Sequence, residues 1–286
     1  MSISRLAWLL LLLIAPPASA SSVQLAPYRS IEDLTLDPST TGQNIGAVSG
    51  RLVTEFTGSA CAGYTTNTRM VVQVVDSSGG RKVSDSRTVT FETLPGDTLP
   101  GKTPLGEAQS GRLDFDNQSF TDGKPDQASK GTAVRSGGTI TVQLVQPEKK
   151  TVTFDAGLVF PTEQVVRLIE AARAGKHFLS FTAYDGLDDG ESPAPTSMTI
   201  GKGSADARDV GDDTAVADAG IANLEHWPVT VSFFDKDATT DQQANFTLTG
   251  IVYENGIMRE QRLDFGTFAL TGKMTGLDML PTKTCR

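Results

Sequence analysis

The chain is 286 residues long and carries 34 acidic against 25 basic residues, a net charge of −9, with two cysteines and two histidines. That surplus of negative charge repels nucleic acid and anionic membrane surfaces at long range, so neither is expected as a partner; its plainest role is solubility. A chain of this length suits one all-β domain or two smaller ones.

The N-terminus reads MSISRLAWLLLLLIAPPASASS. Arg5 precedes an apolar run from Leu6 to Ile14, Pro16 and Pro17 end the run, and the small residues Ala18, Ser19 and Ala20 follow. This order predicts a secretory signal cut after Ala20. The run is well short of the ~20 apolar residues that a membrane span needs, and no later segment is apolar enough to span. Residues 1–20 are therefore read as a cleaved signal and 21–286 as a single domain. The alanine-rich cleavage region suits export to a bacterial periplasm.

Beyond the signal the pattern is mainly β. GAVSGRLVTEFTG sets Val48, Leu52 and Phe56 among polar or small neighbours, and the runs TRMVVQVVD and RKVSDSRTVTFET flank a Gly-rich turn at Ser77 to Gly80. LPGDTLPGKTPLGEAQ, residues 94–109, reads as a Pro/Gly-rich loop. GRLDFDNQSF, with Leu113, Phe115 and Phe120, predicts a strand, whereas TDGKPDQASKGTAVRSGG reads as a polar, turn-rich loop. After the strand runs GGTITVQLVQP and KKTVTFDAG, the periodicity changes. FPTEQVVRLIEAARAGKHF puts Val165, Leu168, Ile169 and Ala172 at helical spacing, with Thr162 as a capping residue, Gly175 as a C-terminal stop, and Arg167, Glu170 and Arg173 on the wetter side. Such a helix is expected to close one end or face of a barrel. HFLSFTAYDG is a further strand, and GKGSADARDVGDDTAVADAGIAN reads as a loop. WPVTVSFFD, ANFTLTGIVYENG and MREQRLDFGTFALTGKM complete at least a dozen strands, with a tight turn at Tyr253 to Gly256. Many alternate, which predicts one buried and one wet face.

In an oxidising compartment the two cysteines, Cys61 and Cys285, pair by default, a free thiol being the alternative. A nucleophilic cysteine needs a histidine base, and His177 and His226 lie far from both in sequence; zinc sites draw on spaced Cys/His pairs, which the chain lacks. His226, before Trp227 and Pro228, reads as a surface or edge residue. The acidic stretches Asp185 to Ser192 and 201–223 lack EF-hand spacing and are expected to be solvated loops, not calcium sites. Asp212-Asp213 is one of many carboxylate pairs expected by chance. Gln127-Ala128-Ser129-Lys130 is no catalytic motif, and neither a nucleophile elbow nor a phosphate-binding loop occurs. The sequons at Asn117 and Asn245 imply little in a bacterium. No catalytic, cofactor-binding or metal-binding residue is assigned, and no cofactor is expected.

LAPYRSIEDLTL, GRLVTEFTGSACAGYTTNTRMV, FPTEQVVRLIEAARAGKHFLSFTAYDG and the terminal LPTKTC together resemble the EipB family, periplasmic cell-envelope integrity proteins of Gram-negative bacteria long catalogued as a domain of unknown function. The resemblance implies a single highly bent antiparallel sheet, wound into a spiral or unclosed β-barrel, with one amphipathic helix packed against it. It also implies a disulfide between Cys61 and Cys285 and brings no catalytic residues. The 94–109 segment looks longer than a family hairpin connection and reads as an insertion. Two functions follow. One is a non-enzymatic periplasmic protein that supports envelope integrity by binding a lipid, peptide or protein partner on a concave sheet surface. The other is a secreted hydrolase built on carboxylates or a serine, which the missing motifs disfavour.

Overall fold

The structure, a computed structural model, describes residues 23–40, 45–94, 111–211, 213–237 and 242–282. The expected signal, most of the 94–109 loop, Asp212 and Cys285 lie outside the described residues.

Eight strands run outward from the N-terminus as an antiparallel meander: β1 (Tyr28–Leu36), β2 (Ile45–Ser59), β3 (Gly63–Asp76), β4 (Arg81–Thr93), β5 (Arg112–Thr121), β6 (Lys124–Ser136), β7 (Thr139–Gln146) and β8 (Lys150–Asp155). The two-residue β9 (Leu158–Val159) then pairs in parallel with β10 (Phe178–Ala183), the connection being the helix α1 (Pro161–Arg173). A second meander returns through β11 (Ala194–Ile200), β12 (His226–Phe233), β13 (Phe246–Tyr253) and β14 (Met258–Asp264) to β15 (Ala269–Met279), which pairs with β1. All form one 15-stranded sheet in the order β8-β7-β6-β5-β4-β3-β2-β1-β15-β14-β13-β12-β11-β10-β9. Its two edges, β8 and β9, are adjacent in the chain. The three Cα steps from Asp155 to Leu158 reach at most ~11 Å, so the sheet must curl until its edges approach. The result is a nearly closed barrel with one seam.

One end of the barrel is filled. Leu168, Ile169, Ala171 and Ala172 of α1 pack with Phe56 and Tyr64 of β2 and β3 and with Met198, Trp227, Val229 and Val252 of the returning strands. The helix therefore touches opposite walls. Its C-terminus ends as the sequence predicts: Gly175, at φ +68°, donates to Ala172 O, and Lys176 N donates to Ala171 O, a pattern that satisfies two late carbonyls. Its start differs from expectation. Thr162 does not cap it; the carboxylate of Glu92, on β4, accepts from Thr162 N at 2.6 Å and from Glu163 N at 3.0 Å.

Two expected loops are structured. TDGKPDQASKGTAVRSGG contains β6, paired with β5 along most of its length and with β7 from Lys130 to Ser136. Its buried-side residues Ser129, Gly131 and Ala133 are too small to give an apolar alternation; the space they leave is filled by Phe115 and by residues 184–190. The 201–223 stretch forms a 3-10 turn (Ala207–Val210) and a short helix α2 (Thr214–Asp218). Val210, Val216 and Ile221 pack there against Tyr253, Ile257, Met274 and Leu277.

Candidate ligand-binding surface

Alternate residues of a strand face one side, and the ladder carries that side across neighbours. Val72 pairs with Ser84 and Val74 with Lys82; Ser86 pairs with Ser119 and Thr88 with Asn117; Asn117 pairs with Ser129 and Ser119 with Gln127. Lys82, Ser84, Ser86 and Thr88 thus form one row along β4. This row separates two kinds of surface.

On the β3 side lies an apolar cleft of about 480 Å³ lined by Val72, Val74, Ser84 and Phe268, with Asp76, Gly80, Arg81 and Lys82 at its β3–β4 turn. Half-buried Met70, Phe246, Phe265 and Phe268 extend it over a core of Leu34, Leu52, Val72, Leu263 and Leu270. The phenylalanines touch in series, with ring centroids 5.2 Å apart for Phe246 and Phe265 and for Phe265 and Phe268. Asp76 turns inward on its own turn, accepting from Ser78 Oγ, Gly80 N and Ser78 N; these bonds hold its carboxyl below the usual range. Asp76 thus stays ionised, and Arg81 and Lys82 outnumber its single negative charge at this mouth. On the other side a polar cleft of about 150 Å³ is lined by Thr88, Asn117, Ser119, Gln127, Ser129 and Asp188, among others. A third, apolar cavity of about 180 Å³ sits where α1 begins, between Leu25, Tyr28, Phe56, Pro161 and Val165.

The residues singled out in sequence fall elsewhere. Cys61 sits in the β2–β3 turn, its Sγ 3.3 Å from Ser59 Oγ. His177 Nδ1 lies 2.9 Å from Ile200 O. His226 is not at the surface as expected: only 3% exposed, it has Nδ1 2.9 Å from Leu224 O and Nε2 3.6 Å from Asp209 Oδ2, and its ring packs 5.1 Å from Tyr253. In the 185–192 stretch, Asp185 accepts from Leu187 N and Asp189 from Glu191 N, and Glu191 pairs with Lys150. Asp185 is half-buried, and its loss of solvation raises its carboxyl pKa. Among the described residues no group of three or more His, Cys, Asp or Glu is placed to hold a metal ion, and no helix is long and apolar enough to cross a membrane. The polar cleft is not legible in the sequence, because the residues of β6 read as a polar loop. Its one trace there is the every-other-residue series Gln127, Ser129, Gly131 and Ala133.

Comparison with known proteins gives the fold a context. Residues 19–281 match the family described as EipB-like. Cell envelope integrity protein EipB of Brucella abortus (strain 2308) is 33% identical over 265 residues, covering 93% of this chain and 88% of the relative. The crystal structure of a β-barrel-like protein of a domain of unknown function, also from Brucella abortus, matches with a TM-score of 0.77 at 32% identity, covering 91% of this chain and 100% of that one. The bent, single-sheet architecture expected from the sequence is thus shared with a solved structure, and the chain belongs to the EipB-like family.

Proposed function

We propose that the protein supports cell-envelope integrity from the periplasm, without catalysing turnover, by holding the acyl chain of an anionic envelope lipid on its concave face. The observation that carries this is the row of half-buried phenylalanines beside the 480 Å³ cleft, with Arg81 and Lys82 at the mouth. Apolar surface left half-covered in a folded chain favours an apolar occupant, at about 25 cal/mol per Å² covered. The two cations complement an acidic headgroup. The name of the Brucella relative supports the envelope role. A fluorescent fatty acid should bind the purified chain, and Phe268→Asp should abolish binding without unfolding it. A deletion strain should be sensitive to detergent and be rescued by the wild-type gene but not by the Phe268→Asp gene. Equal binding by the variant, or a deletion strain as resistant as its parent, would overturn this function.

We also infer that Cys61 and Cys285 are bridged. Met279 pairs with Tyr28, and Tyr28 with Phe56; Leu280 N donates to Pro27 O at 2.9 Å. The tail therefore leaves the sheet two strand spacings, ~10 Å, from the hairpin that carries Cys61. The three residues from Thr282 to Cys285 reach about that far. Among the described residues no cysteine is a free thiol.

A further inference from the structure

We propose that the 150 Å³ polar cleft on β4, β5 and β6 is a carbohydrate subsite, taking one neutral sugar ring whose hydroxyls bond to Thr88, Asn117, Ser119 and Gln127. The inference rests on the concave face being a ligand surface, but it uses side chains separate from the apolar cleft.

The floor comes directly from register. Thr88, Asn117 and Ser129 form one cross-strand row, and Ser86, Ser119 and Gln127 form the next. Strands are ~4.8 Å apart and alternate residues ~6.8 Å apart, so six hydroxyl and amide groups stand in a two-by-three grid. The roof is Leu187 and Asp188, in a loop fixed at several points. Tyr184 OH donates to Gly190 O at 2.7 Å and Leu187 N to Asp185 Oδ1 at 2.9 Å. Gly186, at φ +71°, lies against the Phe115 ring so closely that a Cβ would come within 2.5 Å of it.

The hydrogen-bond inventory of Asn117 then does not close. Its Nδ2 donates to Gly186 O at 2.9 Å and to Ser129 Oγ at 3.0 Å, and Ser129 Oγ donates onward to Gly186 O. The amide cannot be reversed, because its oxygen would then face the Gly186 carbonyl, acceptor against acceptor. That leaves Asn117 Oδ1 buried, with no hydrogen-bond partner among the described residues, on a side chain that is 6% exposed and lines the cleft. An orphaned buried acceptor costs about 1–3 kcal/mol, a cost that a donor reaching it from the cleft would remove. The same bonds commit the Asn117 nitrogen, which removes that sequon as a glycosylation acceptor.

The lining selects the ligand class. Arg87 is engaged by Asp85 at 2.8 Å and lies 5.0 Å above the Phe120 ring, so no uncommitted cation is offered to a phosphate. The backbone groups of β5 are paired on both sides across the cleft floor; β6 meets β7 only from Lys130 onward, so Gln127 to Ser129 keep an edge, which the glycylglycine control below addresses. Hydroxyls and amides that both donate and accept suit vicinal sugar hydroxyls. The volume equals that of roughly five liquid waters, enough for one ring and too small for an acyl chain. Leu187, 42% exposed, offers an apolar edge to the ring's C–H face.

The test is titration of isotope-labelled protein with three neutral disaccharides, chitobiose, maltose and lactose, and with glycylglycine as the polar control. At least one disaccharide should shift the amide signals of Thr88, Asn117, Gln127 and Asp188. Thr88→Val and Gln127→Leu should each weaken binding about tenfold, the loss of one or two hydrogen bonds, with unchanged melting temperature. Phe268→Asp should leave sugar binding intact, so failure of the apolar site and of this one are separable. No shift with any sugar, shifts that survive both variants, or a response to glycylglycine alone would overturn the proposal.

Discussion

Glu32 on β1 has no exposed surface. Gln261 donates to its Oε1 at 2.5 Å, and its Oε2 has no hydrogen-bond partner among the described residues. Burial, with a smaller contribution from the charge of Asp213, pushes its carboxyl from 4.5 up to about 7 against the pull of Gln261. Between those values the folded chain holds a proton that the unfolded chain has lost, so the slope of stability with pH is negative there. The contribution of Glu32 is fully present below pH 4.5 and disappears as pH rises through about 7. Urea denaturation should therefore show wild-type stability falling between pH 5 and pH 8 by up to about 3 kcal/mol. Glu32→Gln should remove most of that fall; an unchanged slope in the variant would assign the pH dependence to other groups. None of this was legible in SIEDL, where the alternation marks Glu32 as facing Ser30 and Leu34 but contains no hint of Gln261, over two hundred residues away.

At the scale of elements, α1 depends on a strand it does not adjoin in sequence. Glu92 is 1% exposed and accepts from the first two N–H groups of the helix. Burial pushes its carboxyl up to about 7, against the lowering effect of those bonds. Glu92→Ala leaves the donors buried without acceptors and should destabilise the fold by about 1–3 kcal/mol. Hydrogen exchange of α1 amides should rise more than that of β5 amides; equal changes would mean the helix is not anchored there. The helix itself was readable, because Leu168, Ile169 and Ala172 recur at its period. Its cap was not, because the capping oxygen comes from a distant strand. Strands with bulky alternation, such as β2 with Val48, Leu52 and Phe56, were equally readable. In β6 the inward residues are small and most outward ones polar, so the period-two signal had no contrast, and the floor of the polar cleft was lost with it.

At the scale of the molecule, alternation tells which face of a strand is buried but not which strand lies beside it. The placement of β15 against β1 and the seam between β8 and β9 come from tertiary closure alone. The proposed bridge bears on this closure. Fixing Cys285 to Cys61 would remove up to about 5 kcal/mol of loop entropy from the unfolded chain. Cys61→Ser and Cys285→Ser should lower the melting temperature by similar amounts, and the double variant should be little worse than either. Two free thiols counted in unreduced protein would refute the bridge.

The β1–β15 ladder, running from Tyr28↔Met279 to Leu36↔Leu270, also sets an order of events in time. Every other neighbouring pair is local in the chain, so two arrays of hairpins can assemble independently and quickly. The β1–β15 ladder in the middle of the sheet can zip only when the last strand has been synthesised. Until then β1 is a bare edge with unpaired N–H and C=O groups, open to pairing with another chain. Vectorial emergence makes the wait as long as it can be, since the first strand out must stay unmated until the final one arrives. A C-terminally truncated chain would keep that edge for good, and should self-associate through it.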